Sequence, residues 1–312
     1  MTDSTPPAPT DHATRLGPVT LATPLVAASG TVGSVVDFAA VGAMEAYGAA
    51  VAKSVSDEPW SGRPAPRLAP TEAGMLNGIG IQNPGIAAWV EEVGRRIERV
   101  GVPVWGSAVS HTAHGYARVA EGLESAGVAA IEVNLSCPNL ERGRMFALDP
   151  ELAAEVVAAV RGATSLPIGA KLSPNADDVV AVATAVAAAG ADWVVLTNTV
   201  WGMAIDVHDR RPVLSGAVGG YSGRAIKPIS LRCVWEVAHA LPSLPIVGCG
   251  GVATGFDVVE YLLAGANAVA IGTAHFAEPR AGRRILAEVD EYCVAYGVGR
   301  VTDLVGAAEA WQ

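Results

Sequence analysis

The sequence reads as an α/β chain folded into a (β/α)8 TIM barrel with long loops at the C-terminal face of the sheet. Three observations predict it. Short apolar runs recur along the 312 residues, each followed by a longer Ala-rich stretch of helical character. The runs are near-continuously hydrophobic rather than alternating, as strands covered on both faces must be. Finally, ESAGVAAIEV, AAAGADWVVL and LLAGANAVAI share one design: a helix end, a glycine turn and the next strand. That recurrence marks repeated β-α units and a parallel sheet.

The strand runs are 24–28, 49–53, 103–108, 130–135, 167–171, 193–197, 245–248 and 268–272. Eight units point to a closed barrel. An open doubly wound sheet is the alternative, but no GxGxxG follows the first run. A helix over 151–162 has Asp149 as N-cap and Pro150 in its first turn. A second, 176–189, follows Ser173-Pro174-Asn175. A third, 255–264, runs into Gly265, a helix stop. Two connections, 54–87 and 200–225, exceed ordinary barrel loops. Both leave C-terminal strand ends and read as lids or binding walls.

With 51% hydrophobic and 17% charged residues, the chain has material for a large core. Residues 1–15, opening on MTDSTPPAPT, are expected to form a flexible tail, and 16–312 a single barrel domain. The start lacks the charged and apolar regions of a signal peptide, and no run of about 18 apolar residues suggests a membrane span. A cytoplasmic location is expected, with no membrane partner. A net charge of −10, with Arg280, Arg283 and Arg284 as the densest basic cluster, argues against a nucleic-acid partner. Cys137, Cys233, Cys249 and Cys293 are dispersed, without grouped thiolates for an iron–sulfur cluster.

Strand ends of a barrel converge on one mouth. Here they present Ser29-Gly30, Lys53-Ser54, Ser107, 134–139, Lys171, Asn198-Thr199, Gly250-Gly251 and Gly272-Thr273. Amides, hydroxyls, two lysines and a thiol suit a planar, polar, phosphorylated ligand. No compact His/Asp/Glu cluster suits a catalytic metal. The glycines after the seventh and eighth strands either make tight turns or offer backbone N–H groups to a phosphate, helped by the dipole of the helix that follows. Lys171 needs an anionic partner, either a structural carboxylate or the N1–C2=O edge of a reduced flavin. A lone cysteine is ordinarily an inert hydrophobe. Cys137, in a polar loop between Asn134 and Asn139, is also placed to act as a thiolate base.

The chain resembles class 1 dihydroorotate dehydrogenases, closest to the NAD-linked class 1B catalytic subunit. PLVAASGTVG, VAKSVS, MLNGIGIQNPG, IEVNLSCPN, AKLSPN, NTVWGMAID, GGYSGRAIKPISLR, PIVGCGGV and AVAIGTAHFA carry the resemblance, from about residue 21 to 276. It implies an FMN-dependent barrel that oxidises (S)-dihydroorotate to orotate in pyrimidine synthesis. Cys137 then corresponds to the base removing the C5 proton while the C6 hydride passes to flavin N5. Lys53, Asn77, Gly78, Ile79, Gly80, Ile81, Asn134, Asn198 and Thr199 match substrate-binding positions. Ser29, Gly30, Lys53, Ser54, Ser107, Asn134, Lys171, Gly223, Gly250, Gly251, Gly272 and Thr273 match flavin contacts, and Thr197 a backbone contact to the flavin. A homodimer is implied. So is a separate FAD and 2Fe–2S electron-transfer subunit if the enzyme is NAD-linked; another subclass reduces fumarate directly.

The sequence departs from the family at Ser107, usually asparagine, where a flavin hydrogen bond passes to water. Gly78 replaces a common alanine and Tyr221 a usual leucine. Residues 140–148, with Arg142 and Arg144, replace a glycine-rich loop over the substrate. A dihydropyrimidine dehydrogenase module shares NLSCP, but Asn139 and GIGIQNPG favour dihydroorotate. A tRNA dihydrouridine synthase would need a basic surface. An inactive flavin-binding barrel is the non-enzymatic alternative.

Overall fold

Eight parallel strands pair in chain order and close on themselves: β1 (Leu25–Ala27), β2 (Ala49–Val51), β3 (Val104–Ala108), β4 (Ala130–Asn134), β5 (Ile168–Leu172), β6 (Trp193–Leu196), β7 (Ile246–Cys249) and β8 (Ala268–Ile271). The computed structural model describes residues 10–136, 138–139 and 144–309, and of Pro138, Asn139 and Arg144 the backbone only. Every expected run becomes a barrel strand, with ends displaced by at most about two residues from the pattern. Lys171 on β5 stands beside Asn134 on β4, and Leu196 on β6 beside Gly248 on β7.

The helices are α1 (Ile86–Glu92), α2 (Ala113–Ser125), α3 (Pro150–Ala163), α4 (Val179–Ala188), α5 (Lys227–Ala240), α6 (Gly255–Leu263), α7 (Ala274–Ala277) and α8 (Ala281–Tyr296). Asp149 caps α3 as expected, accepting from the Glu151 and Leu152 amides. The helix expected from 176 starts later. Asp178 is its cap, accepting from Ala181 N, because the Asn175 side chain bonds Ser173, Thr199 and Trp201 instead. The first crossover holds only two 3-10 turns, Phe38–Ala40 and Met44–Ala46.

Small residues set the barrel's width. Val26, Ala28, Ala49, Val51, Ala130, Val195, Val247, Ala268 and Ala270 fill the interior around Trp105 and Trp193, whose ring centroids lie 5.0 Å apart. Gly169 makes room for this pair, since a Cβ there would stand 2.2 Å from Trp193 Nε1. Leu16 and Leu21, from an antiparallel hairpin of Thr14–Leu16 with Val19–Leu21, close the bottom of the same cluster. Residues 11–15 therefore do not belong to a flexible tail. Asp11 exchanges backbone hydrogen bonds with Gly299 and Val301, and the Thr14 hydroxyl donates to Asn267 O at 2.8 Å. Burial of Leu16 inside the barrel anchors this stretch.

The two long connections meet above the mouth. Val200–Gly202, Gly219–Ser222, Gly74–Asn77 and Leu68–Thr71 pair, in that order, as a four-stranded antiparallel sheet. Its own small core is Ala69, Leu76 and Leu214, with Tyr221 packed against it. Tyr221 thus serves the lid's packing.

Candidate active site

A cavity of about 1520 Å³ lies between the C-terminal strand ends and this lid sheet. At one end stand the glycine loops after β7 and β8. Gly250 and Gly251 have φ of 143° and 72°, values that L side chains rarely adopt. Below them Tyr261, fully buried, donates its hydroxyl to Gly250 O at 2.7 Å. Gly272 differs. An added Cβ there would meet no protein atom closer than 3.7 Å, so packing does not require a glycine. Its missing side chain enlarges the cavity. Among the described residues, the N–H groups of Gly251, Val252, Gly272 and Thr273 have no protein acceptor. This is a nest for an anion.

The start of α6 contributes less than the sequence implied. Its capping box commits Asp257 N to Thr254, and the Ala253 and Thr254 amides donate to Asp257 Oδ2 at 2.9 Å. Gly255 N donates to Glu288. Those groups are already partnered, so a phosphate would be held by the loops rather than by the helix terminus.

A chain of amides and hydroxyls crosses the mouth. Ser107 Oγ bonds Ser54 Oγ at 2.8 Å, Ser54 accepts from Asn134 Nδ2 at 3.1 Å, and Asn134 Oδ1 accepts from Asn198 Nδ2 at 3.1 Å. Asn198 Oδ1 then accepts from Thr199 N at 2.7 Å. The chain fixes the amides of β4 and the β6 loop against one another. From the lid, Asn77 Nδ2 donates to Gly220 O at 3.2 Å. A Cβ on Gly220 would stand 2.3 Å from Thr199 Oγ1. Gly220→Ala is therefore expected to displace Thr199 and raise KM for the substrate bound in this cavity about tenfold, as steady-state kinetics will show.

Lys171 and Glu132 form a buried ion pair at the cavity floor, Nζ to Oε1 at 3.4 Å. Burial, the largest single influence, pulls the ammonium down, but the attraction of Glu132 and Cys249 together with the Glu132 hydrogen bond holds Lys171 above the ordinary lysine value. Cys249 adjoins the pair, and burial pushes its thiol up.

His275 ties the β8 loop to the β1 loop. Thr31 gives its proton to Ala28 O, so His275 Nδ1 donates to Thr31 and Nε2 accepts from Tyr47 at 2.7 Å. Burial lowers its pKa to about 4. The unfolded chain, with an ordinary histidine near 6.5, binds the extra proton first as pH falls. Stability from this group is full above about pH 6.5 and is lost by about 3 kcal/mol as pH falls toward 4. Urea unfolding at pH 7 and pH 5 should show the loss, and His275→Gln should shrink it.

The structure brings nearly all the expected residues to one cavity. Ser29, Gly30, Lys53, Ser54, Asn77, Gly78, Ile79, Gly80, Ile81, Asn134, Lys171, Thr197, Asn198, Thr199, Gly223, Gly250, Gly251, Gly272 and Thr273 all line it. Ser107 does not. It is fully buried, and its hydroxyl is used on Ser54, so it supports a wall residue rather than leaving a ligand bond to water. Cys137 and the Arg142 part of the following loop lie outside the described residues. Sequence reasoning missed Glu132, Asn175, Tyr261 and the stack of Trp60 on His111, 4.3 Å between centroids.

The dihydroorotate dehydrogenase family model matches residues 13–292. The chain belongs to this family. It is 45% identical over 301 residues to the dihydroorotate dehydrogenase B (NAD(+)) catalytic subunit of Geobacter sulfurreducens, covering 96% of this chain and 98% of that one. The protein of the same name from Alkaliphilus oremlandii is 41% identical over 289 residues, 92% and 95% of the two chains. In fold it is similar to the dihydroorotate dehydrogenase of Eimeria tenella solved with ferulenol, with a TM-score of 0.78, 19% identity, and 95% and 88% of the chains covered. As a family member, the chain is an oxidoreductase. No helix among the described residues is long and apolar enough to cross a membrane.

Proposed function

We propose that the chain is the FMN-binding catalytic subunit of an NAD-linked dihydroorotate dehydrogenase, working in the cytoplasm. One observation carries this reading: a single cavity has two unlike ends. One is the nest of N–H groups at Gly251, Val252, Gly272 and Thr273, without a protein acceptor among the described residues and suited to the FMN phosphate. The other is the amide-rich pocket of Asn77, Asn134 and Asn198, suited to a pyrimidine edge that both donates and accepts. Lys171 lies at the floor, where FMN, when bound, supplies the two-electron acceptor.

Lys53 meets the substrate carboxylate. Asn77, Asn134, Asn198 and Thr199 orient the ring, while Gly78, Ile79, Gly80 and Ile81 form the adjoining wall. Ser29, Gly30, Ser54, Thr197 and Gly223 hold the flavin with the glycine loops. Cys137 takes the proton from C5. Electrons leave through a separate FAD and 2Fe–2S subunit, and the core is a homodimer. Exposed Trp201, Met203, Ile205, Val207 and Val218, concentrated on one excursion of the chain, support such interfaces.

Anaerobic addition of dihydroorotate should bleach the bound flavin. Yellow protein that stays oxidised would overturn the reading. Purification of the native complex should reveal FAD and a 2Fe–2S spectrum; efficient fumarate turnover by the isolated chain would instead overturn the NAD-linked part.

A further inference from the structure

We propose that Glu132 is a positioning residue that lowers the flavin's reduction potential, its fixed negative charge offsetting Lys171 at the cavity floor. The proposal rests on the FMN reading above. Glu132 lies on β4 two residues before Asn134, facing into the barrel, with its side chain only 2% exposed and 3.4 Å from Lys171. The other acids lining the cavity are placed differently: Glu72 is exposed, and Glu278 is paired with Arg284.

Packing does not account for the pair. Glu132 and Lys171 sit above an interior of Ala130, Val195 and Val247, and a buried ion pair in such surroundings is commonly no more stable than an apolar one. Its face is turned to a ligand cavity. A flavin gains negative charge as it takes up electrons. Lys171 alone would favour that charge strongly. A carboxylate on the ammonium's flank cancels much of its field and keeps the lysine protonated and fixed.

Two pairs of variants of matched size separate charge from shape: Glu132 against Glu132→Gln, and Glu132→Asp against Glu132→Asn. Either pair suffices if a member of the other fails to fold. Each is loaded with FMN and equilibrated with a redox dye of known potential. At one fixed potential the ratio of reduced to oxidised flavin should be about tenfold higher in each neutral member than in its charged counterpart. Equal ratios within the pairs, or a lower ratio in the neutral members, would overturn the proposal. Wild-type flavin bleached by dihydroorotate alongside equal ratios would overturn this inference alone. Wild-type protein that binds no FMN would overturn the functional reading and this with it.

Discussion

Replacing Cys137 by serine is expected to leave FMN bound and to slow flavin reduction by dihydroorotate at least about a hundredfold near neutral pH, the lower range for loss of a general base. A thiol ordinarily titrates near 8.5 and is shifted lower by a polar or cationic setting, whereas a serine hydroxyl stays protonated. Stopped-flow absorbance of the flavin reads the step directly, and near-normal reduction would sink the assignment. The other cysteines are poor substitutes. Cys233 and Cys293 are fully buried, and Cys249 is buried with its thiol pushed up. Cys249→Ser should therefore be much milder.

Lys171→Ala has the second large effect, on the fold as well as the site. It would leave the Glu132 carboxylate, 2% exposed, without its ammonium. Breaking a buried pair from one side costs about 3 kcal/mol or more. Urea unfolding of flavin-free protein should show that loss, and flavin-loaded preparations should retain less FMN or a lower potential. A change below about 1 kcal/mol, with full occupancy and unchanged potential, would refute both roles.

The barrel was legible because burial on both faces writes each strand as an apolar run, and glycine turns punctuate the repeats. The candidate site was legible because barrel strands end on one face, so residues far apart in sequence had to meet. What escaped depended on pairing at a distance. Glu132 reads as a blemish in the apolar run AIEVN, and its partner stands 39 residues away. Ser107 occupies a strand end, yet its hydroxyl is spent on Ser54. The hairpin at the barrel bottom and the lid sheet were hidden for a like reason. Their strands are three or four residues long, too short for an alternating pattern to stand out. The α6 terminus is not legible in the sequence because Glu288, from another helix, takes the Gly255 amide.

The lid sheet has a consequence for how the molecule is divided. Asn77 follows β2 and Gly220 follows β6, 143 residues apart, yet they are bonded across the mouth. The sheet thus staples the first four β-α units to the last four. A chain cut between α3 and β5 would yield two half-barrels, and neither would own a complete roof. Ligand capture by the mixed fragments would then report their reassembly, because the room exists only when both halves share the same ceiling.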